Sequence, residues 1–152
     1  MIVKLTKQHD LAALQLVLDG TGLFPSEMLP DMLGEFLAGE TTEEIWLTCE
    51  QEGEAIGFCF AVPEQLAEGT WNMRAIAVLP SVQRGGAGRL MVATLEEKLR
   101  AAGHRVLIAD TSGTAEFELT RRFYQKNGYH EEARIRDFWA AGDDKVIYWK
   151  AL

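Results

Sequence analysis

Basic residues are nearly missing from the first half of the sequence. Residues 1–70 hold two, Lys4 and Lys7, against 13 acidic ones, whereas residues 71–152 hold 13 basic against 10 acidic. The formal net charge is -8, and nucleic-acid binding depends on a basic surface, so no nucleic-acid partner is expected. Cysteine is also scarce. Cys49 and Cys59 are too few for a disulfide scaffold and sit in apolar, strand-like segments, as reduced core thiols do. Neither has a neighbouring base in the sequence to activate a nucleophilic thiol. The three histidines, His9, His104 and His130, show no metal-ligand spacing, and no metal is expected. No apolar run approaches the roughly 20 residues that cross a bilayer. The opening Met1-Ile2-Val3-Lys4-Leu5-Thr6-Lys7 lacks the apolar core and small-residue cleavage site of a signal peptide. These absences exclude a membrane partner and point to a cytoplasmic protein.

The chain has 152 residues, of which 47% are hydrophobic, which suits one globular domain over 1–152. The acidic first half could draw in a cation, and the more basic second half suits a polyanionic ligand. Periodicity gives alternating strands and helices, a mixed α/β class. Asp10 is placed to cap a helix with Leu11, Leu14 and Leu18 on one face, stopped by Gly20 and Gly22. A second helix lies between Pro30 and Gly39. Ile45–Gln51 and Ala55–Val62 read as strands joined by the turn Glu52-Gly53-Glu54, and the second is apolar on both faces, as a central strand is. A strand over Thr70–Val78 precedes a glycine-rich segment and a helix in which Met91, Leu95 and Leu99 share a face, ended by Gly103. Val106–Asp110 is the next strand and Glu116–Asn127 the next helix. Strands Tyr129–Trp139 and Lys145–Lys150 follow, around Ala141-Gly142-Asp143-Asp144. In the first of them Ala133 and Ile135 alternate with Arg134 and Arg136, predicting a half-buried strand.

The chemistry concentrates where the strand 70–78 gives way to the helix. Gln83-Arg84-Gly85-Gly86-Ala87-Gly88-Arg89 opens that helix. First-turn N–H groups lack internal partners, and the helix dipole puts partial positive charge on them. Glycines admit an oxyanion close to the backbone, and Arg84 and Arg89 can add charge-assisted contacts, so a phosphate group is the natural guest. The Gly-Lys-Ser/Thr ending of a Walker loop is absent. A Rossmann fingerprint matches better, with Gly86, Gly88 and, roughly 20 residues on, Asp110. Met91 stands at its third glycine, however, and the segment follows a hairpin, not a series of parallel units.

Val78-x-Pro80-x-x-Gln83-x-x-Gly86-x-Gly88 closely resembles the acetyl-CoA motif of the GNAT acyltransferase superfamily, whose core is Gln/Arg-x-x-Gly-x-Gly/Ala. Phe123-Tyr124-Gln125-Lys126-Asn127-Gly128-Tyr129 is similar to that family's second signature, at the expected separation. The order of elements agrees over nearly the whole chain. The resemblance implies a mixed, mostly antiparallel sheet of six or seven strands with splayed central parallel strands and about four flanking helices. It implies pantetheine bonding to backbone at Ile76, Ala77 and Val78, pyrophosphate on the amides of Arg84, Gly85, Gly86, Ala87, Gly88 and Arg89, and Gln83 among the cofactor-binding residues. An N–H near Val78 would steady the oxyanion, Thr120 and Phe123 would touch the cofactor, and Tyr124 would serve the departing sulfur. A tyrosine near pKa 10 is a weaker acid than a thiol near 8.5, so hydrogen bonding, not full proton transfer, is the expected role.

Two departures matter. The glutamate that relatives often carry on the strand entering the first motif is missing from Trp71-Asn72-Met73-Arg74-Ala75-Ile76-Ala77-Val78. Asp110 is then the candidate base, with Glu27 and Glu116 behind it. Phe117 and Thr120 replace the asparagine and alanine often found seven and four residues before the tyrosine. The acceptor is expected to be a primary amine of a small molecule, amino acid or protein, lined by Glu27, Trp71 and Asn72, with Phe24 and Trp139 as further lining. A homodimer is compatible with this reading. The alternatives are an acyl-CoA-binding regulatory module without turnover and a Rossmann-type oxidoreductase.

Overall fold

A computed structural model describes residues 1–40 and 43–152. Strand β1 (Ile2–Leu5) is followed by helices α1 (Leu11–Thr21) and α2 (Leu29–Leu37), then β2 (Ile45–Gln51), β3 (Glu54–Pro63) and β4 (Thr70–Val78). Helix α3 (Ala87–Ala101), β5 (Val106–Ser112), α4 (Glu118–Lys126), β6 (His130–Ala140) and β7 (Asp143–Ala151) complete the chain. The seven strands form one sheet in the order β1-β2-β3-β4-β5-β7-β6. Its parallel pair is β4 with β5, matched at Thr70↔Val106, Trp71↔Leu107 and Asn72↔Ile108. That ladder stops there, although β4 runs on to Val78 and β5 to Ser112. The mixed, mostly antiparallel sheet with four helices is the architecture expected from the sequence.

The described residues divide into two compact units, Met1–Val62 with Ala75–Lys98, and Pro63–Arg74 with Leu99–Leu152. In the first, Leu14, Val17 and Leu18 of α1 and Leu29 and Leu33 of α2 join Trp46, Phe58, Ala75 and Ala77 in a buried core. The Trp46 and Phe60 rings stack at 4.1 Å. Gly57 on β3 is required by close approach: a Cβ there would lie 2.7 Å from the Ala77 carbonyl oxygen and 3.2 Å from Met91 Cε. The β2–β3 loop is the two residues Glu52 and Gly53, with Gln51↔Glu54 paired. Both have positive φ, 54° and 82°, the arrangement of a type I′ turn that matches strand twist. Cys49 and Cys59 are buried and free, and burial pushes the Cys59 thiol up to about 12.

In the second unit β7 runs between β5 and β6, pairing Ile108↔Trp149 on one side and Ala133↔Ile147 on the other. Tyr124 of α4 stacks on Tyr148 of β7 at 5.2 Å.

Two expectations are corrected. Asp10 sits just ahead of α1, yet its side chain caps nothing in that helix. Its Oδ2 instead accepts the Lys7 backbone N–H at 2.8 Å and Oδ1 meets the Lys4 ammonium at 3.1 Å. The carboxylate therefore closes the tight turn Gln8–Asp10, where the nearby cation outbids the helix amides. The half-buried strand expected around Ala133 and Ile135 is exposed at every residue. Alternation failed there because β6 is an edge strand, and its register breaks between Glu131 and Ala133 and between Ile135 and Ala140.

Candidate active site

The loop that opens α3 carries the first part of the site. The tight turn Pro80–Val82 follows β4, and Gln83, Arg84, Gly85 and Gly86 are exposed while Ala87 is buried. Arg84 has φ 70° and Gly86 φ 92°. Left-handed residues in such a loop turn successive N–H groups toward one concave side, which is anion-binding geometry. Leu90 N–H reaches the Gly86 carbonyl at 2.9 Å, so the helix ladder begins at Gly86 and the first-turn amides of Ala87, Gly88 and Arg89 precede it. Gln83 Nε2 donates to the Val78 carbonyl at 3.0 Å. That bond ties the loop to the end of β4, where Ile76 and Val78 are half-buried and Ala77 is buried.

The second unit carries the titratable groups. Asp110 stands on β5 with its Oδ2 3.2 Å from Lys145 Nζ and 3.3 Å from Asn72 Nδ2. The same amide nitrogen donates to Glu64 Oε1 at 2.9 Å. Parallel pairing explains the meeting: Asn72 is opposite Ile108, and Asp110, two residues on, presents the same face. Trp71 points the other way and is buried against His104, ring centres 5.2 Å apart. Trp139 is half exposed, and its indole N–H donates to the Thr111 carbonyl at 3.3 Å. Phe138 lies under Lys145, 4.4 Å from Nζ to the ring centre.

Tyr124 is 3% exposed and packs edge-on to Phe123 and Tyr129 as well as on Tyr148. Burial, with Glu131 nearby, raises the pKa of the Tyr148 phenol. Thr120 and Phe123 are half-buried on α4, and Glu116 is exposed in the turn Ala115–Phe117 ahead of it, with Phe117 half-buried. In the first unit Glu27 is exposed in the turn Ser26–Met28. Phe24 packs edge-on to Phe58 at 6.3 Å, as part of the core lining. The structure thus brings Asn72 and Asp110 together, with Trp139 on the same unit. Sequence reasoning did not single out Glu64, Phe138 or Lys145. Glu64 follows a strand end without any motif, and Lys145 reads as an ordinary polar alternation.

A second cluster escaped the sequence as well. His9 and Asp10, from the turn Gln8–Asp10, and Glu50 of β2, paired with Ile2, bring ligand atoms within 4.8 Å of one another. Lys4 sits among them, 3.1 Å from Asp10 and 2.5 Å from Glu50. Burial pulls its pKa down, but hydrogen bonds to Glu50 and Asp10 outweigh that and leave it raised. The cation in this cluster is the chain's own.

The profile of the acetyltransferase (GNAT) family matches residues 12–129. This chain belongs to that family. Among solved structures, a GNAT-family protein from Desulfovibrio desulfuricans shares 30% identity at a TM-score of 0.88, covering 99% of each chain. An aminoglycoside 6'-N-acetyltransferase complexed with coenzyme A superposes at 0.81 with 17% identity, covering 99% of this chain and 97% of that one. A ribosomal-protein-alanine N-acetyltransferase from Brucella melitensis reaches 0.78 with 20% identity over 100% of both chains. The last two show the fold alone. The comparison with curated proteins finds no match. The chain is therefore an enzyme of the acetyltransferase class, with an acyl-CoA as the donor of its family. The Rossmann alternative calls for a series of parallel strands, whereas among the described residues the pairings β1–β2, β2–β3, β5–β7 and β6–β7 are antiparallel and β4–β5 is parallel. Among the described residues no helix is long and apolar enough to cross a membrane.

Proposed function

We propose that this single GNAT domain, residues 1–152, is a cytoplasmic enzyme that moves an acetyl group from acetyl-CoA to a primary amine by direct attack. The observation that carries the reading is the loop Gln83–Arg89, with left-handed Arg84 and Gly86 and a fresh helix start at Ala87. Its amides receive the pyrophosphate, and the Arg84 and Arg89 side chains add charge. Pantetheine bonds to backbone at Ile76, Ala77 and Val78, while Thr120 and Phe123 contact the donor from α4. An N–H near Val78 polarises the acetyl carbonyl and holds the oxyanion, a task for which one preorganised donor contributes about 2.7–4 kcal/mol. Tyr124 hydrogen-bonds the departing sulfur.

An amine near pKa 10 arrives mostly protonated at neutral pH, so a group must take its proton before attack. Asp110 is the carboxylate that the motif-based reading offers, and its hydrogen bond from Asn72 supports a place for both near the acceptor. Glu27, exposed in the turn Ser26–Met28, is the other acceptor-lining candidate, whereas Trp71 faces away from Asn72 and is buried against His104. Thermal-shift comparison of acetyl-CoA, coenzyme A and nicotinamide dinucleotides tests the donor. Release of free thiol across an amine panel tests the transfer. The reading holds if coenzyme A ligands alone stabilise the protein and an amine drives thiol release. Stabilisation without thiol release from any amine favours the second reading, a non-catalytic acyl-CoA-binding module, for which the observation is that β4 has no carboxylate.

A further inference from the structure

Glu64 follows β3 directly, and its backbone N–H donates to the Thr70 carbonyl at 2.8 Å, which closes the turn into β4. Asn72 is 6% exposed. Its Nδ2 donates one proton to Glu64 and one to Asp110, so both amide protons are committed and the amide orientation is set by two carboxylates. Two buried acceptors then have no donor, Asn72 Oδ1 and Asp110 Oδ1. Unmet buried acceptors are costly and call for an explanation, of which a missing ligand is one. Lys145 shows what chemistry the place accepts: its primary ammonium contacts Asp110 Oδ2 at 3.2 Å and lies over the Phe138 and Trp139 rings at 4.4 Å and 5.9 Å. Two carboxylates and that one cation leave the cluster with a formal excess of negative charge.

We propose that Glu64, Asn72 and Asp110 form the seat for the acceptor's primary ammonium, which displaces Lys145 from Asp110, and that Glu64 takes its proton. The proposal rests on the amine-acetyltransferase reading. An alkylammonium carries three N–H donors, which suits the two orphaned oxygens and a carboxylate, and its carbon chain suits the faces of Phe138 and Trp139. Glu64 is the better acceptor of the two carboxylates. Asp110 Oδ2 is shared by Asn72 and Lys145, while Glu64 is half-buried and within reach of water. Asn72 is a positioning residue that draws two carboxylates to a strand that has none of its own. Glu64 takes one proton from the ammonium and passes it to water. The amine lone pair then attacks the acetyl carbonyl carbon, the new C–N bond forms and the C–S bond breaks. A second proton from the nitrogen leaves with the coenzyme A sulfur, giving the N-acetyl product, the thiol and one proton in solution.

Two measurements on the full chain test this separately from the reading beneath it. In the first, n-butylammonium chloride and 1-butanol are titrated while two-dimensional NMR follows the Asn72 side-chain amide and the Trp139 indole N–H. The ammonium is expected to shift both resonances saturably and the alcohol to leave them, with affinity at least about tenfold weaker in Glu64→Gln and Asn72→Ala. In the second, turnover of an acetylated amine is expected to fall at least about 100-fold in Glu64→Gln, to recover partly in Glu64→Asp, and to lose its acid limb against pH. Asp110 shares the Asn72 amide with Glu64 and is itself paired with Lys145, so the profile is compared with that of Asp110→Asn. A Glu64→Gln enzyme with unchanged kcat and pH profile overturns the seat and leaves the acetyltransferase reading standing. A butylammonium shift of the Trp139 indole N–H that persists at undiminished affinity in Asn72→Ala also overturns it. Wild-type protein that binds butylammonium and acetyl-CoA but acetylates no amine supports the seat and overturns the acetyltransferase reading.

Discussion

Tyr124 and Cys59 are both buried aromatic or thiol groups, yet their expected contributions differ. The Tyr124 ring is held by Phe123, Tyr129 and Tyr148, so Tyr124→Phe keeps the stack and removes the hydroxyl. Turnover is expected to drop about 10- to 100-fold with donor affinity nearly unchanged. Steady-state thiol release checks this, and an unchanged rate and pH profile would remove Tyr124 from the mechanism. Cys59 matters for stability instead. Burial raises its folded-state pKa from 9.0 to about 12. Between those values the unfolded chain has lost a proton that the folded chain keeps, so stability falls as pH rises through that window. Each pH unit there removes about 1.4 kcal/mol through this group. Urea unfolding of Cys59→Ala at about pH 8 and about pH 10 is expected to show a smaller loss between the two than wild type. An equal loss would assign the alkaline sensitivity to other groups.

At the scale of elements, the close approach of β3 to β4 and the loop before α3 make opposite demands on glycine. A Cβ at Gly57 would meet backbone oxygen at 2.7 Å, so Gly57→Ala is expected to destabilise the protein by about 1–3 kcal/mol in chemical unfolding. Gly86 has room, with only Met1 Cε at 3.8 Å, but its φ of 92° is one that side chains rarely adopt. Gly86→Val therefore bends the loop and also places a branched side chain where phosphate approaches. Affinity for coenzyme A is expected to fall at least about tenfold by calorimetry, with folding retained. Much of this was legible beforehand: the loop, the strand ending at Val78, the α3 face of Met91, Leu95 and Leu99, and the second signature around Tyr124 are local patterns. The Glu64–Asn72–Asp110–Lys145 cluster was not, because it depends on a three-pair parallel register and on β7 entering beside β5 ahead of β6. Alternation likewise reports which residues share a face, not whether anything covers that face, and β6 is bare.

For the whole molecule, charge and family point the same way. The excess of acid in residues 1–70 favours a cationic acceptor, so kcat/KM for a charged amine is expected to fall several-fold as salt rises from about 20 mM to about 500 mM. A neutral acceptor serves as the control, and equal salt responses would contradict steering by the acidic half. The family supplies acetyl transfer from an acyl-CoA, and the proposed place for the donor's phosphates is the loop before α3. The most direct test is backbone amide NMR of the full chain during titration with coenzyme A. The amides of residues 84–89 are expected to shift first and furthest, and in Gly86→Val to need at least about tenfold more coenzyme A. Saturable binding of coenzyme A with those amides unmoved would contradict the proposed place for the phosphates.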